Sequence, residues 1–460
     1  MRMTRRRTRR SISNLPEELV EEIISRVPLT SMRAVRLTCR KWDTLSKSGS
    51  FTKLHMGKIA AAAREEGESP PVILLTDHQL YLMSVTPTSE IDADPSTEPK
   101  GEHFSCCLKD DDSDQQVKIH QIYDCEGLLL CVLKHDGRVV VWNPYWGQTR
   151  WIKLRFYFLT PMDKLDWCRY ALGYSETESE KKSYKILRFM DIDIQQWACG
   201  NGDRTEGENV WYEIYDLDSG SWTTLDVGTP HWHISFNSFG VSLKGNTYWR
   251  ASPRNTLNDG LASHLICFDF TRRRFGPLLP LPFEALDYEL VTLSCVGQEK
   301  LACLYQKDDL ASTTEVWITQ TIEADKVSWI KLLTLDTVGP LDFSFLLFGS
   351  FLVDEEKKAA FVFDLHRYAM RCIVYGIGEA GYLRKLHLQE FANERGFNVR
   401  ACPYVPSIAQ IKQPRGGQRE QESRSETVVA NQKTSSFAAF VERFKAQRMR
   451  TKMEVERGET

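Results

Sequence analysis

Several stretches of the 460-residue sequence hold residue types at spacings that could do chemistry. GIGEAG, from Gly376 to Gly381, fits the GxGxxG pattern and follows an apolar run. A dinucleotide loop needs a helix opening directly after it, so that backbone donors point at the pyrophosphate. Here YLRKLHL is short and alternating, so the stretch reads as a glycine-rich turn between strands. KDDDSD, from Lys109 to Asp114, has the acid spacing of a calcium loop, but the glycine of the sixth position is Gln115 and the glutamate of the twelfth is Gln121. It reads as a solvated acidic loop. His231 and His233 flank Trp232 in TPHWHISF and would share one face of a strand, yet the spacing nominates no third ligand. The twelve cysteines include no CxxC pair, and GxSxG, HExxH and phosphate-loop patterns are missing. The expectation is therefore no catalytic residue, no metal and no cofactor, although an enzyme with groups scattered over several loops stays open.

Aromatic residues offer binding chemistry instead. WNPYWGQTRWIKL sets Trp142, Trp146 and Trp151 around Pro144 and Gly147, as either a stacking box or scaffold. Trp142 and Trp151 occupy places where later stretches have Tyr215 or Phe268 and Trp222 or Phe275, which points to repeated packing. Trp146 has no such counterpart. It joins His231, Trp232 and His233 as the candidates for holding a partner.

The elements that must position these residues fall into two blocks. Residues 14–55 carry helical periodicity. NLPEELVEEIISRVPL has Pro16 suited to a first helical turn, which would put the cap on Leu15, and acids that suit the positive end of a helix. Leu19, Ile23, Ile24 and Val27 are expected on one face. A second helical stretch, capped by Thr30, would line up Met32, Val35, Cys39, Trp42 and Leu45, with Arg33, Arg36, Arg40, Lys41 and Lys47 on its other sides. A cluster of about 40 residues rarely buries enough apolar surface to stand alone, so a leftover apolar face would suit a partner.

From Pro70 to about residue 405 the pattern changes to short strands separated by turn signals. A hairpin unit recurs, with turn-side anchors at Asn143, Asp216, Asp269 and Asp364 and a further stretch near Ile318. VILLTDHQLYLMSV supplies a sixth unit. The spacing predicts an irregular kelch-like β-propeller of about six blades, with a β-sandwich as the alternative.

The remainder sets outer bounds. The net charge of -3 argues against a generally nucleic-acid-binding surface, and RRRTRR at Arg5–Arg10 reads as a solvated tail or a nuclear-import signal. FSFLLFGSFLV is too short for a membrane helix and reads as buried strand. Free thiols and no secretory segment predict the nucleus, the cytoplasm or both. Composition predicts disorder at residues 1–10, a polar insert at about 86–116, and a flexible tail over 406–460 with a short amphipathic helix at 436–450.

Two segments resemble known families. SISNLPEELVEEIISRVPLTSMRAVRLTCRKWDTLSKSGSFTKLHMGK is similar to an F-box, which the resemblance places at residues 11–58, followed by a linker at 59–71. WNPYWGQTRWI, RYALGYSE, SYKILRF, YEIYDLDSGSWTTLD, GVSLKGNTYWRAS, LICFDFTRRRFGPLLPLP and the EVWIT and VSWIKLL pair resemble the F-box-associated domain of a large plant family, from about 127 to 335 and more weakly to about 405, which gives that identity to the β domain at 72–405. The resemblance implies a non-catalytic substrate receptor of an SCF-type ubiquitin ligase. Its F-box would dock on a Skp-type adaptor, reach a cullin and a RING subunit through it, and leave the β domain to recruit a target protein. By position, Leu15, Pro16, Leu19, Ile23, Ile24, Val27, Val35, Cys39 and Trp42 match the adaptor-binding residues. A ligand-binding propeller or enzyme, and a nuclear regulator using RRRTRR, are the competing readings; no membrane and no nucleic-acid partner are expected.

Overall fold

Strand after strand in this chain is buried along its whole length, as in LLLCVL at Leu128–Leu133, where every residue is inaccessible. Such a strand must be covered on both faces of its sheet. The computed structural model shows how: four-stranded antiparallel sheets stand side by side in a ring, and each face of each sheet packs on a neighbour. It describes residues 15–28, 31–65, 71–83, 102–103, 108–110, 113–134, 137–155, 168–176, 181–192, 209–228, 230–234, 238–254, 262–286, 289–306, 313–336, 350–366, 371–378, 383–387 and 399–413.

Four short helices come first: α1 (Glu17–Ile24), α2 (Met32–Thr38), α3 (Arg40–Ser46) and α4 (Gly49–Glu65). Blade 2 is then the simplest sheet, with Ile119–Cys125, Leu128–Leu133, Arg138–Asn143 and Gln148–Lys153 in consecutive antiparallel order. Blade 3 repeats this over Arg169–Glu176, Lys182–Ile192, Asn209–Asp216 and Ser221–Leu225, and blade 5 over Leu290–Val296, Lys300–Gln306, Thr313–Ile322 and Val327–Asp336. Blade 4 is built on Asn246–Pro253 and His264–Asp269, and blade 6 runs from Ser350–Asp354 to Leu383–His387. Blade 1 is assembled from both ends of the domain, because Arg400–Pro403 pairs antiparallel with Val72–Thr76. That pairing closes the ring, so six blades replace the alternative of two stacked sheets.

Alternation along the strands divides the apolar residues between neighbouring blades. Leu128, Leu130 and Val132 face Tyr170, Leu172 and Ile186 of blade 3, while Leu129, Cys131 and Leu133 face Ile73, Leu75 and Leu80 of blade 1. Six such layers complete the circle, the last joining Phe361 and Phe363 of blade 6 to Val72 and Leu74 of blade 1.

The turn anchors have one cause. Asn143, Asp216 and Asp269 each end the third strand of a blade, and each side chain accepts a backbone N–H from the third residue after it: Trp146 at 3.2 Å, Ser219 at 3.0 Å and Arg272 at 2.9 Å. This Asx turn fixes a four-residue link to the outer strand. Asp364 departs from the expected pattern: it lies inside Ala359–His366, the second strand of blade 6, where the strand continues past it. Trp151 departs as well. Thr149 pairs with Trp142 where Trp222 pairs with Tyr215 and Phe275 with Phe268, so Trp151 sits two residues farther along.

Residues 406–413, expected to open a flexible tail, are held on the propeller. Ser407, Ala409, Ile411, Lys412 and Gln413 bond to blades 2 and 3. Residues 1–10, most of the 86–116 insert and the 436–450 segment lie outside the described residues.

Candidate functional site

Helix α1 is stopped and started by proline. Pro16 is its N-cap, and its carbonyl accepts N–H bonds from Leu19 and Val20 at 3.1 Å. The cap is therefore one residue later than the sequence suggested, and Leu15 precedes it. Leu15 packs on the same cluster as Val20, an apolar staple across the helix start. The four residues expected on one face divide between two. Ile24 is 2% exposed and joins Val20, Met32 and Phe51 in the helical core, with Val27 against it, whereas Leu19 and Ile23 are 51% and 46% exposed. Spacing of i, i+4 keeps these two neighbours on the outer face. Their exposure is apolar surface with nothing covering it.

The second helical stretch is broken. Cys39 adopts extended backbone (φ -160°, ψ 156°), which ends α2 and lets α3 start in a new direction. Val35 and Trp42 stay half-buried against the helical core, and Cys39 is half-buried at the break. Two further residues stand out in this stretch. Leu37, on which the periodicity is silent, is 79% exposed. Of the seven exposed large hydrophobics among the described residues, Leu19, Ile23, Leu37 and Leu54 lie in this small helical unit, which marks it as a contact surface. Arg36, assigned by pattern to a polar side, is 8% exposed.

Arg36 is buried because the helical unit sits on the propeller. Its guanidinium lies 4.5 Å from the Tyr145 ring centroid and 4.6 Å from that of Trp146. Nε donates to Ser46 Oγ at 3.1 Å, and Nη1 donates to the Tyr145 carbonyl. Burial pushes the Arg36 pKa down, opposed by Tyr145. A desolvated cation over an aromatic face is worth about 2 kcal/mol, which offsets part of the cost of taking the guanidinium out of water. His55 of α4 adds a second tie: Nε2 lies 2.7 Å from the Val27 carbonyl and Nδ1 3.3 Å from the Tyr145 hydroxyl. A ring nitrogen facing a carbonyl must carry the proton, so Nε2–H donates to Val27 and Nδ1 accepts from Tyr145.

The remaining candidates are placed on the propeller. Trp146 is 9% exposed in this junction and so is covered by the chain itself rather than spare. Trp232 is buried in the layer between blades 3 and 4, its ring 4.7 Å from that of Phe275, and His233 beside it is buried. His231 alone of that trio is exposed. No group able to hold a metal ion occurs among the described residues. Gly376–Gly378 ends a blade strand, and the next described element is the paired strand Leu383–His387 rather than a helix. At the propeller axis Asp124, Ser242, Cys295 and Pro403 line a small cavity, where burial pushes the Asp124 carboxyl up to about 6 against the pull of Arg400. A neighbouring cavity of about 350 Å³ lies between Thr52, Lys53 and Met56 of α4 and Glu126, Gln298 and Val405 of the propeller. The helical unit thus sits on the face that carries the turns after the first and third strands of the blades, against blade 2 and Gln298 of blade 5.

Comparison with known proteins follows this division. The family model described as the F-box domain matches residues 12–54, and that of the F-box associated beta propeller domain matches residues 71–411. An F-box protein of Arabidopsis thaliana is 49% identical over 409 residues, covering 88% of this chain and 92% of its own. An F-box/kelch-repeat protein of the same plant is 47% identical over 443 residues, covering 93% and 96%. Another F-box protein from it is 45% identical over 435 residues, covering 93% and 97%. A solved nidogen/laminin complex aligns over 73% of this chain and 98% of its own at 10% identity and a TM-score of 0.35, too distant to argue from.

Proposed function

The chain belongs to the plant F-box proteins that carry a C-terminal F-box associated β-propeller domain, and from that membership we propose that it is the substrate receptor of an SCF-type ubiquitin ligase. The observation that carries the reading is the uncovered pair Leu19 and Ile23 on α1, whose opposite face is closed by Val20 and Ile24. An apolar stripe on a helix that has already buried its other face is a surface for a partner, here a Skp-type adaptor. Through that adaptor the chain reaches a cullin and its RING subunit. The propeller recruits a target protein, and since the helical unit occupies one of its faces, the target is taken up on the opposite one. The work done is effective concentration: holding a target near a charged conjugating enzyme makes transfer intramolecular. No residue of the chain acts on a bond, and the complex works in the nucleus or cytoplasm.

The test is capture by a purified Skp-type adaptor. Leu19→Asp with Ile23→Asp is expected to weaken capture by at least about tenfold, since each desolvated apolar contact contributes on the order of 1 kcal/mol or more. The circular dichroism of the chain should stay unchanged. Wild-type capture by the double variant would refute the assignment. Proximity labelling under proteasome inhibition, comparing the full chain with residues 1–60, would identify the target.

A further inference from the structure

One turn of the propeller is built unlike its equivalents. In blades 2, 3 and 4 the Asx turn has the same length, and the two residues before its last position are Tyr145 and Trp146, Asp218 and Ser219, and Thr271 and Arg272. The residues of blades 3 and 4 are exposed and polar, as a solvated turn requires. Those of blade 2 are aromatic and buried, and what buries them is Arg36 and His55 of the helical unit.

The turn is also braced from behind. Asn143, fully buried, accepts from Trp146 N–H through Oδ1 and donates through Nδ2 to the carbonyls of Ser407 at 3.0 Å and Ala409 at 2.7 Å. Both of its amide protons hold the returning C-terminal segment while its oxygen holds the turn. On the other side, Arg36 of α2 is anchored by Ser46 of α3, and His55 of α4 by the Val27 carbonyl just after α1, so two helices reach the turn and the rest of the helical unit holds them in place. Contacts braced on both sides leave little freedom for one domain to rotate on the other.

We infer that the Tyr145–Trp146 turn is a docking knob that locks the helical unit to the propeller in one orientation. Arg36, His55, Tyr145 and Trp146 are then positioning residues: they set where a captured target stands relative to the adaptor. That last consequence rests on the ligase reading above; the lock itself does not.

Electron–electron distance measurement on the full chain tests it, with non-natural spin-labelled residues replacing Lys41 on α3 and Lys326 on blade 5, both exposed. A single narrow distance distribution is expected. Arg36→Ala, and Tyr145→Asp with Trp146→Ser, should each broaden it, while Ser219→Ala in the equivalent turn of blade 3 should not. A broad wild-type distribution would overturn the lock without any variant being needed, and so would variants that fold, by circular dichroism, yet stay as narrow as wild type. In a reconstituted ligase, Arg36→Ala should bind adaptor as wild type does but spread self-ubiquitination over more lysines. An unchanged site map would overturn the positioning role. Absence of ubiquitin transfer from every variant would instead refute the ligase reading, with the distance result standing by itself.

Discussion

At the scale of single residues, burial decides roles that periodicity leaves open. His55 is the clearest case. Its burial and the neighbouring Arg36 hold its pKa below the ordinary value of 6.5. The unfolded or undocked chain therefore takes up the proton first, so the stability that neutral His55 lends is complete above about 6.5 and is lost as pH falls below it. We expect the thermal unfolding temperature of the wild type to drop between about pH 7 and pH 5 more steeply than that of His55→Gln, measured side by side. Gly127 is constrained by backbone. Its φ is +78°, and an added Cβ would lie 1.9 Å from the Val405 carbonyl oxygen. Gly127→Ala should cost about 2 kcal/mol or more in denaturant unfolding, because neither the turn nor the C-terminal segment can give way. Of the adaptor candidates, the sequence placed Leu19, Ile23, Ile24 and Val27 together. The structure separates them, since a 100° step per residue cannot say which half of a wide apolar stripe meets the core.

At the scale of elements, hairpins and their anchors were legible because strand alternation and Asx turns are local. Asn143, Asp216 and Asp269 announce themselves by residue type. Asp364 carries the same signal inside a strand, where the local pattern misleads. Inner strands were less legible: Ile119–Cys125 does not repeat an obvious motif and is defined by pairing with Leu128–Leu133. Arg400–Pro403 was legible as part of the β domain but could not be assigned to a blade, because its partner lies at Val72–Thr76. Ending the chain before Val399 should open blade 1 and replace a single cooperative thermal transition by a broadened one at lower temperature. Within blade 3, Arg188 Nη1 meets Glu213 Oε1 at 3.2 Å with both side chains wholly inaccessible. Glu213→Ala, which strands a buried guanidinium, should cost about 3–5 kcal/mol in chemical unfolding.

For the whole molecule, the joint between the domains governs what the surface shows. If Tyr145 and Trp146 are apolar because the helical unit covers them, residues 71–413 expressed alone should expose both and associate. Light scattering should detect this, and Tyr145→Asp with Trp146→Ser, the residues of the equivalent blade 3 turn, should reverse it. By itself the sequence determined the two-part plan, the helical periodicity of the first block and the hairpin units of the second, with no catalytic template, because each is written in spacings of a few residues. Only the tertiary structure decided which apolar residues are spent inside and which are left out, how the ring closes, and that Trp146 serves the chain's own helices. Arg36 and Tyr145 are 109 positions apart, and no local period records a contact across that distance.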